Sequence, residues 1–132
     1  MSWNVAMIGA TLANMGANPV TGHEAFKVKY IQGVLAAMFT CGMYDFAGEW
    51  AYRAGVPAKS GVAGVVMAVV NRQFSIGMYS PRLDARGDSF RGIAVCIDLA
   101  EKFGLHAFDF MNLGSNFIRA MYSVLTPHSN QN

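Results

Sequence analysis

In the stretch GMYDFAGEWAYRAGVPAKSGVAG, residues 42–64, Tyr44 stands fifteen residues ahead of a Lys59-Ser60-Gly61 step. These residue types suit acyl chemistry. A lysine at a strand start offers a cation, the adjacent serine offers a relay hydroxyl, and the glycine lets a ligand approach the backbone. The N–H of the next residue, Val62, can stabilise a developing oxyanion. A tyrosine beside a cation can take part in proton transfer. Each piece has a bland reading as well. A lone Lys-Ser-Gly is usually a solvated strand end, and a tyrosine in an aromatic helix is usually core. Trp50 and Tyr52 are read as core.

The elements around these residues follow from periodicity. Residues 2–15 have helix spacing, with Ser2 as a cap. Val5, Ile8, Leu12 and Met15 form one stripe, while Ala6, Ala10 and Ala13 keep the rest slim. Gly16 ends this helix, and ANPVTG is a loop. A second helix starts within 21–27 and runs to Phe39, on a face of Val28, Ile31, Val34, Leu35 and Met38. Thr21 and Glu24 have capping-box spacing. Residues 43–54 form a short aromatic helix closed by Gly55 and Pro57. SGVAGVVMAVV reads as one strand, apolar on both faces and therefore central in a sheet. Phe74, Ile76 and Met78 alternate with Ser75, Gly77 and Tyr79 in a second strand, and the short gap between the two predicts a hairpin. SPRLDARGDS is a polar loop, and Asp88 or Ser89 caps a last long helix with Ile93, Cys96, Ile97, Ala100 and Phe103 inward. A further helix is expected near 116–125, with HSNQN disordered. The fold class is α+β, with helices, an antiparallel hairpin or sheet, and a C-terminal helix. Two strands alone make a poor sheet, so part of the sheet is expected from elsewhere.

The 132 residues are the size of one domain. Hydrophobic residues make up 53% and charged residues 14%, which excludes a disordered chain and means that either the core is large or some apolar surface is covered by something else. Homo-oligomerisation or pairing with an N-terminal half is therefore expected. No apolar run reaches the roughly 20 residues of a membrane-spanning helix, and no signal peptide is visible. A net charge of +2 without a basic stripe gives nucleic-acid binding no support. Cys41 and Cys96 lie in apolar surroundings without a CxxC, as in a reduced cytoplasmic protein. His23, His106 and His128 lack metal-ligand spacing, and His106 with Asp109 reads as a surface pair, so no metal site is expected.

Three segments, ATLANMGANPVTG (10–22), CGMYDFAGEWAYRAGVPAKSGVAG (41–64) and YSPRLDARGDSFRG (79–92), carry a family resemblance in order and spacing. The sequence resembles the serine-dependent glutaminases, relatives of the serine β-lactamases and penicillin-binding proteins. The resemblance implies a partial β-lactamase-like domain, with residues 1–105 as the C-terminal portion of a glutaminase domain and 106–132 as an extension. It implies hydrolysis of L-glutamine to L-glutamate and ammonia through an acyl-serine, without metal or organic cofactor. Tyr44 matches the family's active-site tyrosine, which helps move the nucleophile's proton. Val62 matches the residue whose N–H helps form the oxyanion hole. Lys59, Ser60 and Gly61 match the strand motif that β-lactamase relatives carry as K-T-G or K-S-G. The implied catalytic residues are Tyr44 and Lys59, and the implied substrate-binding residues are Tyr44, Ser60, Gly61 and Val62.

The family's nucleophile is the serine of a Ser-x-x-Lys pair at a helix start. None of the eight serines here is followed by lysine three residues on. The chain is therefore expected to be the C-terminal half of a glutaminase domain, beginning in a helix the full domain carries midway. Met15 stands where the family usually has a Gly-Gly pair, Val65 where another glycine follows Gly64, and His23 where an acidic residue is usual. Three functions follow as expectations: the C-terminal portion of an enzyme, a non-catalytic binding or assembly remnant, or a truncated product without a role of its own.

Overall fold

The valine-rich run does not form one strand. In the computed structural model, which describes residues 2–109, it breaks into β1 (Ala58–Gly61) and β2 (Val65–Val70). Gly64 donates its N–H to Gly61 O at 2.9 Å and takes φ +86°, a left-handed backbone that favours glycine. The continuous apolar pattern concealed this turn, because its residues read equally well as strand. β3 (Phe74–Tyr79) completes a three-stranded antiparallel sheet in the order β1-β2-β3. β2 is thus central, as its apolar character on both faces predicted, and Val70 pairs with Phe74 across the expected hairpin.

Alternation along β2 then sorts the core into two layers. Val66, Ala68 and Val70 face a cluster with Phe46, Trp50, Ile93, Cys96 and Ile97. Val69, with Met67 against it, faces Leu12, Ala13, Ile31, Leu35 and Met38. The first cluster is built by α3 (Ala47–Arg53) and α4 (Phe90–Phe103), and the second by α1 (Ser2–Ala13) and α2 (Val28–Cys41). The sheet is sandwiched between two helical layers.

The helices deviate from the sequence reading in instructive places. α1 ends at Ala13, and Met15 beyond it adopts φ 56°. Its buried face is Gly9, Thr11, Leu12 and Ala13, while Ile8 is exposed. The reason is close approach: a Cβ on Gly77 would lie 2.4 Å from the Ala6 nitrogen, so helix and strand backbones meet across small residues. α2 begins at Val28 with Lys27 as an N-cap that makes no side-chain capping bond, and Glu24 pairs with Ala17 in a backbone bridge. The aromatic helix is a 3-10 turn, Tyr44–Phe46, leading into α3. Trp50 is fully buried and donates its indole N–H to Val56 O at 2.7 Å, but Tyr52 is exposed rather than core. Ser89, not Asp88, caps α4, accepting from Gly92 N. Phe103, the last residue of α4 before the left-handed Gly104 cap, points to solvent.

Beyond α4, Leu105 joins the core and Ala107 donates to Gly55 O at 2.8 Å. His106 lies against Gly55 and bonds Tyr52 O at 3.2 Å. Both cysteines are free, and burial pushes the Cys96 thiol up to about 12. Among the described residues, no helix is long and apolar enough to cross a membrane. The helix expected near 116–125 and the C-terminal tail lie outside the described residues.

Candidate functional site

Tyr44 and Lys59 meet. Gly42, at the end of α2, approaches β1 so closely that a Cβ there would lie 1.7 Å from Ala58 O. Ser60 N–H donates to Gly42 O at 2.9 Å, which fixes β1 against the helix end. The chain then turns at Tyr44, held at φ 49°. A left-handed backbone costs a bulky residue about 1–2 kcal/mol, and it brings the phenol ring to the strand. Lys59 Nζ sits 4.5 Å from the Tyr44 ring centroid, a cation–π distance. It also donates to Gly42 O at 3.5 Å and to Ser60 O. The Tyr44 side remains open to solvent, at 42% exposure.

The other residues of the step separate by strand alternation. Lys59 pairs with Met67 and Ser60 with Val66, so their side chains point to opposite faces. Ser60 is 1% exposed and turns into the α4 layer, away from Tyr44. It is not placed as a relay hydroxyl beside the lysine. Gly61 closes the strand, and the Gly61–Gly64 bond leaves the Val62 N–H outside the turn's hydrogen bonding, with Val62 itself 72% exposed. A Cβ on Gly61 would lie 3.9 Å from Val65 Cβ, an ordinary contact.

Asp88 is the residue that sequence reasoning passed over. A carboxylate next to a cap serine reads as a cap, and nothing in its spacing marks burial. In the fold it is 0% exposed. Burial raises its pKa above the ordinary 3.8, with Asp84 adding to the rise and Ser60, Arg86 and Lys59 opposing it. The Ser60 hydroxyl is near enough to act on the carboxyl, yet Ser60 Oγ and both Asp88 oxygens stop short of hydrogen-bond geometry with any described group. Among the described residues no cluster of His, Cys, Asp and Glu suits a metal ion. A hollow of about 330 Å³ lined by Trp3, Met7, Ala10, Arg72 and Phe74 lies at the other end of β2, away from Tyr44.

The sequence model of the glutaminase family matches residues 2–108. The chain belongs to the glutaminase family. It is 53% identical to a glutaminase of Nostoc sp. over 112 residues, which covers 85% of this chain and 34% of that protein. A glutaminase of Trichormus variabilis is 56% identical over 106 residues, covering 80% and 32%. The chain thus spans about a third of the length of these curated relatives. Among solved structures, Mglu in its glutamate form superposes with a TM-score of 0.78 at 42% identity, covering 83% of this chain and 25% of that one. The covalent complex of the Bacillus subtilis glutaminase YbgJ with 5-oxo-L-norleucine superposes with a TM-score of 0.78 at 34% identity, covering 82% and 39%.

The fold is accordingly part of the β-lactamase-like α+β domain of the glutaminases. Tyr44, Lys59, Ser60, Gly61 and Val62 all lie inside the region that matches the family.

Proposed function

We propose that the chain forms one wall of a glutamine-hydrolysing site, and that turnover requires a Ser-x-x-Lys segment this sequence does not contain. In this reading the serine of that segment attacks the side-chain amide carbon of L-glutamine, ammonia leaves, and water hydrolyses the glutamyl ester to L-glutamate. Tyr44 moves the nucleophile's proton, and Lys59 supplies positive charge beside it. The Val62 N–H helps hold the oxyanion, with Gly61 keeping the approach open. The observation that carries the reading is the stacking of Lys59 on Tyr44 next to the Val62 turn. The strained backbone of Tyr44 adds support, since such strain collects at functional sites.

The missing segment comes from an N-terminal half, in cis or in trans. The exposed Trp3, Val20 and Tyr30 favour such a cover or self-association. The free thiols favour a cytoplasmic location.

A chimera tests this. Residues 2–108 replace the matching third of the Nostoc glutaminase. Ammonia release from glutamine is expected in the chimera and not in the chain alone. Tyr44→Phe in the chimera is expected to lower kcat by about 100-fold or more, the usual scale of positioned proton transfer. A chain that turns over alone and stops on Ser60→Ala, or a Tyr44→Phe chimera of full activity, refutes the reading.

A further inference from the structure

The junction between the β1–β2 turn and α4 is polar and almost completely satisfied. Ser89 Oγ donates to Ser80 O at 2.9 Å and accepts from Gly92 N at 3.2 Å. Ser80 N donates to Gly64 O at 2.8 Å, tying the turn to the following loop. Asp84 Oδ1 accepts from Arg86 N at 2.9 Å and from Asp88 N at 3.0 Å, fixing the loop that carries Asp88. Arg86 anchors that loop on α3, 3.4 Å from Glu49 and over the Phe46 ring. Inside this frame three buried side-chain atoms are left over, Ser60 Oγ and the two Asp88 oxygens. Buried polar groups are normally paired, because leaving one unpaired costs a full desolvation penalty. The Ser60 hydroxyl lies near enough to the Asp88 carboxyl to draw its pKa down, and each group is the hydrogen-bonding complement of the other. A hydroxyl offers one donor and two acceptor sites, and a carboxyl offers acceptors and, when protonated, a donor.

We propose that Asp88 is the positioning residue of the Lys59–Val62 step, holding Ser60 from the buried side so that the strand end presents Lys59 and the Val62 N–H to one cleft. Because Lys59 and Ser60 point to opposite faces of β1, a hold on Ser60 sets the strand without entering the cleft. Burial favours the neutral carboxyl, which can donate to Ser60 Oγ, whereas an ionised one must accept from it. The charged groups acting on Asp88 are Asp84, Arg86 and Lys59, and Arg86 is already shared with Glu49. Closed from their unbonded arrangement to hydrogen-bond distance, the two groups have two forms, carboxyl to hydroxyl and hydroxyl to carboxylate, that hold Ser60 differently, and the site residues should register the change.

NMR titration of the full 132-residue chain tests this, resting on the reading of Lys59–Val62 as part of a glutamine site. The Asp88 carboxyl carbon is expected to titrate above 3.8, and the Ser60, Gly61 and Val62 amide signals are expected to move with the same midpoint. Asp88→Asn, which keeps the shape and a donor, should hold those amides near their low-pH positions at every pH. Asp88→Ala should displace them at every pH. Ser60→Ala should raise the Asp88 midpoint further, since the hydroxyl pulls it down. Amides that ignore the Asp88 titration, or a midpoint unchanged by Ser60→Ala, overturn the proposal. If Asp88→Ala does not fold, the Asn variant and Ser60→Ala decide the matter. A failed chimera with the amide coupling intact removes the glutamine reading and leaves the Asp88–Ser60 pair. Loss of the coupling in an active chimera removes the pair alone.

Discussion

Replacing Gly42 by alanine tests the contact on which the candidate site depends. The backbone at Gly42, φ −68° and ψ −20°, is one that any residue adopts, so the cost is purely steric. The new Cβ would meet Ala58 O at 1.7 Å and Met38 O at 2.4 Å, where ordinary contact begins at 3.4 Å. Both obstacles are backbone, which cannot swing aside as a side chain does. β1 must retreat, and the bond from Ser60 N–H to Gly42 O cannot survive a shift of that size. Overpacking costs about 1–3 kcal/mol, and the buried Ser60 N–H left without this acceptor costs about 1–3 kcal/mol more. The stiffer unfolded chain returns about 0.4–1 kcal/mol. A net loss of about 1–6 kcal/mol is expected. Urea denaturation reads it as a lower midpoint at unchanged slope. Gly33→Ala is the control: it lies in α2 with nothing within 4 Å of its built Cβ, and should gain about 0.8–1 kcal/mol. A Gly42→Ala chain as stable as the parent refutes the close packing of β1 on the end of α2.

Met15→Gly should stabilise the chain by about 0.5–1 kcal/mol in the same assay, because Met15 holds a left-handed φ of 56° while half exposed. A loss of stability would show that the Met15 side chain contributes more than its backbone costs. Asp88→Asn should raise stability at neutral pH. The raised folded-state pKa of Asp88 means its penalty is fully present above that value, fades as pH falls through it, and is gone below the unfolded value. The advantage of the variant over the parent should therefore shrink on acidification. An advantage that is constant from neutral to acid would contradict a buried, ionisable Asp88.

Patterns of burial were legible where a helix meets its neighbours through large side chains. Ile31, Leu35 and Met38 of α2 and Ile93, Cys96, Ile97 and Ala100 of α4 are buried as their spacing indicates. On α1 the same logic held for Leu12 alone among the buried positions, and Gly9 and Ala13 rather than Ile8 and Met15 face the sheet. A stripe of hydrophobicity cannot reveal a contact made by the absence of side chains, such as Gly77 against Ala6. Within the candidate site, the residue types of Tyr44 and Lys59 suited acyl chemistry but also had a bland reading, and it was the family resemblance that joined them. Strand alternation separates Ser60 from Lys59 in any phase, but which of the two turns into the α4 layer was not legible, since that depends on how β1 packs beyond the hidden turn at Gly61–Gly64. Asp88 was illegible for a related reason: its burial arises from three elements converging, and no local pattern encodes that.

The close approach at Gly42 has an electrostatic consequence. The carbonyl end of a helix carries a partial negative charge from its aligned peptide dipoles, and a cation nearby normally answers it. The last turn of α2 has no basic side chain of its own. Lys59 fills that role from the neighbouring strand, with Nζ 3.5 Å from Gly42 O. The helix dipole and any incoming carboxylate therefore compete for one ammonium group. An anion arriving at Tyr44 meets a cation already partly answered by α2, and drawing Lys59 forward would leave the helix terminus uncompensated.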